Sequence, residues 1–400
     1  MKKITLILLA LVGLFTSCSN DDDSTTNSDP QVVAPATYSF ERNGQSTISY
    51  GGQTTRIMMG QEFINALKDE TLSEAQIDAM FAHVEGNASF SNPDLNASNK
   101  SIRSKTAASS DYFSANTTDA NAIKADFDSW IAAQVNDVYP NWNTNAVSGV
   151  AGQIQEAGGG SIRYVNEKGL EYNQAVNKAL IGALMVDQML NNYLSTSVLD
   201  AGENRANNDA EILAEGKNYT TMEHKWDEAF GYLYGTDNAE VPMLEADSFL
   251  NKYLSKVDSD EDFTGIASNI YNAFKLGRAA IVAKEYTVRD QQANIIRKEV
   301  SKIIAIRAIY YLQQGKIAMN GGNQAGAFHD LSEGFGFIYS LQFTRQPNSD
   351  DPYFTKIEVD TMISELMEGN GFWDVSNETL DAISQDIADV FGISMVEAAS

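Results

Sequence analysis

The sequence predicts an all-α protein built of two similar helical bundles, with a small β-hairpin element near the N-terminus. Three observations predict it. Apolar residues recur at helical spacing through most of the chain after Gln61, and strand-like alternation is confined to residues 36–60. Two distant stretches, "HKWDEAFGYLYG" from His224 and "HDLSEGFGFIYS" from His329, run almost in register, as an internal duplication would.

Within residues 36–60, alternation around Tyr38 and Phe40, then "NG", "STISY", "GG" and "TTRIM", predicts a hairpin or three-strand meander that serves as a lid or clasp. From Gln61 the spacing turns helical. "SEAQIDAMFAHV" opens with a capping-box pair, Ser73 and Gln76, and puts Ile77, Met80, Phe81 and Val84 on one face. "TTDANAIKADFDSWIAAQV" does the same with Ile123, Phe127, Trp130 and Ile131. Residues 85–111, rich in Asn and Ser, predict a long loop between them. Further helices are predicted over 166–196, 221–234, 242–257, 262–285, 288–316, 324–341 and 376–391, with little strand signal after residue 60. Long helices joined by modest loops argue for bundles, divided here as 61–240 and 241–400.

Ahead of the fold, "MKKITLILLALVGLFTSC" has two lysines, an apolar run from Ile4 to Phe15 too short to span a membrane, and small residues before Cys18. It resembles the bacterial lipoprotein signal: residues 1–17 are then removed, and Cys18 is lipidated as the new N-terminus and membrane anchor. Residues 18–35 have almost nothing with which to build a core and read as a tether. Asp21, Asp22 and Asp23 resemble the signal by which Bacteroidota send lipoproteins to the cell surface; the alternative is a solvated spacer facing the periplasm. Cys18 is the only cysteine, so packing must hold the exported chain without a disulfide, and a bound metal could assist. Loss of residues 1–17, with Lys2 and Lys3, takes the formal charge from -26 to -28. So acidic a surface repels nucleic acid, and no nucleic-acid partner is expected.

The two matched frames align His224 with His329, Glu228 with Glu333, Phe230 with Phe335, Gly231 with Gly336 and Tyr234 with Tyr339. Each follows a long apolar helix. On a helix, His and Glu four residues apart share a face, one turn apart, close enough to share a metal ion or a hydrogen bond. Imidazole nitrogen with carboxylate oxygen suits iron or zinc, and such sets on facing helices are how bundles build metal sites. Glu223 and Asp227 flank the first pair and Asp330 the second. Gly231 and Gly336 let a neighbouring helix come close. The same residues equally describe a buried His bonded to an intrahelical Glu ahead of an aromatic core stripe, repeated by descent with no ligand. His83 with Glu85 reads as a terminal-turn pair, and Arg278, Glu285 and Asp290 as a solvated charged face, with polar groups at a bundle centre as the alternative.

The lipoprotein signal together with "PATYSFERNGQSTISYGGQTTRIMMGQEFINALK" and "HKWDEAFGYLYG" resembles the domain-of-unknown-function 4856 family of Bacteroidota lipoproteins, over nearly the whole mature chain. That family is similar in size, location and two-bundle organisation to the imelysin-like proteins, which are implicated in iron or haem acquisition and carry G-x-H-x-x-E. The resemblance puts His224 at the histidine and Asp227 at the acid, with Met222 in place of the glycine; in the second frame Ser332 replaces the acid and Glu333 follows it. It implies an imelysin-like fold and an outer-membrane uptake system beside a TonB-dependent receptor or an imelysin-like lipoprotein.

No H-E-x-x-H, G-x-S-x-G, phosphate-binding glycine loop or post-export cysteine nucleophile occurs, so a non-enzyme is expected. Two functions stand against each other. One is a lipid-anchored capture protein for iron or an iron-bearing ligand, using His224, Asp227, Glu228 and Glu223, then His329 and Glu333. The other is a non-catalytic accessory that docks on a receptor or neighbouring lipoprotein, its His–Glu pairs architectural. A glycan-binding lipoprotein would need Trp or Tyr in an exposed groove, and Trp130, Trp142, Trp226 and Trp373 are scattered.

Overall fold

In the computed structural model, which describes residues 32–400, the predicted hairpin is present but short. Strands β1 (Glu41–Arg42) and β2 (Gln45–Ser46) pair antiparallel, Glu41 opposite Ser46. Asn43 and Gly44 between them both have positive φ, the turn geometry that "NG" favours. Cys18 and the acidic triplet Asp21, Asp22 and Asp23 lie outside the described residues.

The expected third strand is instead helix. α1 (Gly51–Ala66) begins at "GGQTTRIM", because Gln53, Arg56, Ile57, Gly60, Phe63 and Ile64 fall on one buried face at helical spacing. That burial outweighs the strand preference of Thr54, Thr55 and Ile57. α2 (Glu74–Phe81) starts at the Ser73–Gln76 capping box as predicted. The long loop over 85–111 holds only α3 (Pro93–Asn96) and the start of α4 (Ser110–Phe113). α5 (Thr117–Ala133) follows. A second antiparallel hairpin, β3 (Gly152–Gln155) with β4 (Ile162–Val165), corrects the expectation that strand signal ends at residue 60. Its alternation, "GQIQ" and "SIRYV", spans only four paired residues around a glycine-rich turn.

α6 (Tyr172–Leu180) continues through two π-helical stretches, Ile181–Val186 and Met189–Tyr193, all in the core. α7 (Thr196–Leu199) and α8 (Asn204–Asp209) are single turns leading to α9 (Thr221–Tyr234). α9 has the bounds expected of it, set by a capping box between Thr220 and Glu223. Then come α10 (Leu250–Asp258), α11 (Ile266–Ala283), α12 (Tyr286–Asn320) and α13 (Gln324–Ser340). α15 (Asn377–Phe391), as predicted, and the unforeseen α14 (Lys356–Leu366) and α16 (Met395–Ala398) close the chain.

The 35 residues of α12 make a rod about 50 Å long. α11, α13 and α15 lie along it, and α13 also rests on α6. Val32–Ser400 form one compact unit, so helices from both expected bundles share a core. Among the described residues no helix is long and apolar enough to cross a membrane.

Candidate functional site

Helix α9 carries four of the predicted site residues, and two of them are committed to charge pairs. Glu223 and Asp227, one turn apart, face the wholly buried guanidinium of Arg278 on α11. Arg278 donates from Nη1 to Glu223 Oε1 and from Nε to Asp227 Oδ1, both at 3.1 Å, and from Nη2 to Thr47 Oγ1 at 3.0 Å. The N-terminal segment closes over this trio. Arg42 makes a two-pronged contact with the Glu223 carboxylate at 3.1 and 3.2 Å. The Tyr38 hydroxyl donates to Asp227 Oδ1 at 2.6 Å, and the Ser49 amide to Asp227 Oδ2 at 3.2 Å. The Tyr38 ring stacks on Phe230, centroids 3.8 Å apart. Burial pushes the Asp227 carboxyl up to about 6, against the opposing pull of Arg278 and the Tyr38 hydroxyl. For Glu223, burial is outweighed by Arg278, Arg42 and the Thr220 amide, and the carboxyl lies below its usual value.

His224 and Glu228 sit on the neighbouring face. His224 Nδ1 lies 2.9 Å from the Ser49 carbonyl, which can only accept, so this nitrogen carries the proton. Nε2 stands 3.9 Å from Glu228 Oε2. Burial pushes the imidazole down, so it is neutral at pH 7. Glu228 accepts from Lys225 Nζ at 2.7 Å and from Gln53 Nε2 at 3.1 Å. Gly231 has Tyr50 against it, where an added Cβ would come within 2.4 Å of the tyrosine Cβ. "YSFERNGQSTISYGG" and "EHKWDEAFGYLYG" therefore form one interlocked unit: of the lid or clasp expected of residues 36–60 the contacts make a clasp, and α9 is what it grips.

The second frame has the same local geometry, with its His–Glu pair slightly more buried than the first. His329 Nε2 stands 3.7 Å from Glu333 Oε1, while Nδ1 lies 2.7 Å from Glu171 Oε2 on the turn before α6. Glu333 pairs with the buried Lys178 of α6 at 2.8 Å. Burial would raise the Glu333 carboxyl, but Lys178 and then His329 outweigh it and hold it at about 2. Gly336 lets α6 approach as expected; a Cβ there would meet Lys178 Cβ at 2.5 Å. On its outer side this frame opens on a cavity of about 690 Å³, walled by Lys252 and Lys256 of α10, Arg307, Tyr310 and Tyr311 of α12, and His329, Asp330 and Glu333 of α13. A cavity of that volume admits a small molecule.

Among the described residues, no three His, Cys, Asp or Glu side chains are placed to hold one metal ion. At the first frame Arg278 and Arg42 occupy Glu223 and Asp227, leaving His224 and Glu228 as a two-donor set. At the second, Lys178 holds Glu333 and Glu171 orients His329. Structural and catalytic zinc sites draw on at least three protein donors, and neither frame offers them. The arrangement therefore does not fit a directly coordinated iron or zinc ion, and the cavity suits a whole molecule better. His83 pairs with Ser89 Oγ at 3.1 Å rather than with Glu85. Arg278 was the functional partner hardest to foresee, since the charges that balance it lie 51 and 55 residues away in the chain.

The chain belongs to the domain-of-unknown-function family DUF4856, whose model matches residues 35–394. No curated protein and no solved structure matches it.

Proposed function

We propose that this is an exported, lipid-anchored protein of the outer membrane that captures an iron-bearing ligand for an uptake system without catalysing a reaction on it. One observation carries the reading: of the two His–Glu frames, the second lines a cavity of about 690 Å³ while the histidine of the first is bonded to the clasp. Lys252, Lys256 and Arg307 stand on that cavity's walls beside Asp260, Asp330 and Glu333, and this mixed lining favours iron inside an oxygen-rich chelate over a bare cation. The N-terminal "MKKITLILLALVGLFTSC" supports export and lipidation at Cys18, and Asp21, Asp22 and Asp23 support display at the cell surface, beside a TonB-dependent receptor or an imelysin-like lipoprotein. The test is titration calorimetry of the Ser19–Ser400 chain with ferric citrate, ferric ion and zinc, alongside His224→Ala and His329→Ala. Binding of the chelate that is weakened by His329→Ala and kept in His224→Ala is expected.

A second reading is favoured by the first frame. Glu223 and Asp227 are engaged in holding the N-terminal segment, as an architectural role for the His–Glu pairs requires. Absence of binding by the wild-type chain, with both variants only less stable, would move the conclusion to a non-catalytic accessory lipoprotein docking on a receptor.

A further inference from the structure

Six arginines are buried among the described residues, and five have their guanidinium hydrogen-bonded. Arg56 donates to the carbonyls of Ser101 and Gly52, and Arg297 to those of Leu190 and Leu194. Arg278 has Glu223 and Asp227, Arg289 has Asp200 and Asp290, and Arg345 has Asp111 and Asp350. Arg307 is the exception. It is 7 % exposed, its Nε has no hydrogen-bond partner, and no ion pair among the described residues uses it. What surrounds it is aromatic: Tyr310, Tyr311 and Tyr253, with ring centroids 3.9, 4.6 and 5.7 Å from the guanidinium carbon. Cation–π attraction offsets part of the desolvation cost, but it leaves the N–H donors without acceptors.

Arg307 lines the cavity beside the second frame, where Lys252 is under-paired as well. Lys252 joins no ion pair among the described residues; its ammonium lies over Tyr253, 5.5 Å from the ring centroid. Burial first, and then Lys178, push that ammonium down, with Lys256 and Arg307 adding to the effect, while Glu333 opposes it. Lys256 is drawn outward to Glu245 at 2.7 Å. None of the acids on the walls is paired with Arg307. Glu333 is engaged by Lys178 and His329, and Asp330, whose carboxyl burial raises to about 6, is still mostly ionised at pH 7 but makes no ion pair with Arg307. Asp260 accepts from the Ser400 hydroxyl at 3.3 Å. In a chain of formal charge -26, a cavity whose Lys252, Lys256 and Arg307 equal in number its Asp260, Asp330 and Glu333 is less acidic than the protein at large.

We propose that this cavity binds an anionic small molecule through carboxylate or phosphate oxygens, with the Arg307 guanidinium as the main ligand, Lys252 as the second, and Tyr310 and Tyr311 as its walls. A guanidinium presents a rigid fork of N–H donors that fits two oxygens of either group, and its partial enclosure strengthens each contact. The inference rests on the cavity being the ligand site, as under the proposed function, but it does not require iron.

The test uses iron-free Ser19–Ser400 chain at low salt, titrated calorimetrically with citrate in one arm and inorganic phosphate in the other. Saturable one-site binding of at least one anion is expected, weakened at least about tenfold by Arg307→Gln and more mildly by Lys252→Gln. Arg42→Gln, on the clasp, should leave it unchanged. Which arm binds tells carboxylate from phosphate. Thermal melting supplies a second readout. If Arg307 is held for a ligand, Arg307→Gln keeps or raises the midpoint of the free chain, because it removes a cation that has no internal partner. Binding of neither anion, or equal binding by wild type and Arg307→Gln, would overturn the proposal. Anion binding with no preference for ferric citrate over citrate would leave this inference standing and remove the iron reading; binding of ferric citrate but of neither iron-free anion would do the reverse.

Discussion

At the residue scale the governing fact is that buried charge must be matched, and the matches are long-range. Arg278 is bracketed by Glu223 and Asp227, so removing it leaves Asp227 without a cation in the core and Glu223 with Arg42 alone. Arg278→Gln is expected to cost about 3–5 kcal/mol, read from the urea midpoint at pH 7; a loss under about 1 kcal/mol would show that the trio is not holding the clasp. Glu333 gives a pH signature. Its folded value, about 2, lies below the ordinary 4.5, so the folded state binds fewer protons than the unfolded one. The stabilisation is fully present above pH 4.5 and is lost as pH falls toward 2. Glu333→Gln should flatten the dependence of the melting midpoint on pH across that window, and should lower the midpoint at pH 7 by leaving Lys178 unpaired. A parallel pair of curves would sink the assignment. The sequence exposes Glu223, His224, Asp227 and Glu228 because they crowd one helix face. It hides Arg42, Arg278 and Arg307, because whether a cation has a partner depends on which distant element packs against it.

At the element scale, legibility followed the strength of local signals. α9 could be bounded from sequence because Thr220 and Glu223 make a reciprocal cap that is visible in one dimension. The start of α1 could not. Thr54, Thr55 and Ile57 favour strand locally, and only the fit of Gln53, Arg56 and Gly60 against neighbours makes the segment helical. The β3–β4 hairpin was missed because four paired residues give too short an alternation to stand out. The helix contacts at the two frame glycines were legible, and they can be tested. In Gly231→Ala the new Cβ would overlap Tyr50 and crowd Gln53 Cβ at 3.1 Å. A destabilisation of about 1–3 kcal/mol is expected, with faster limited proteolysis ahead of α1. Unchanged protease resistance there would mean that the clasp does not depend on this close approach.

At the scale of the whole molecule, the fold is one unit whose N-terminal segment is bonded to residues more than 170 positions away. Arg42 reaches Glu223, Ser49 reaches Asp227 and His224, and Lys275 donates to the Ala36 carbonyl at 2.9 Å. The mechanical consequence concerns a chain tethered ahead of Val32. Any pull on such a tether enters the fold at Tyr38 and Arg42, and the grip of α9 and α11 on the clasp bears the load before the long helices do. Stretching single molecules between residue 32 and the C-terminus should therefore give a first small extension, the length of the clasp, before the main rupture. Arg42→Gln should lower the force of that first step alone. A single undivided rupture would mean that clasp and helices yield together, and that a drag on such a tether is felt at once throughout the protein.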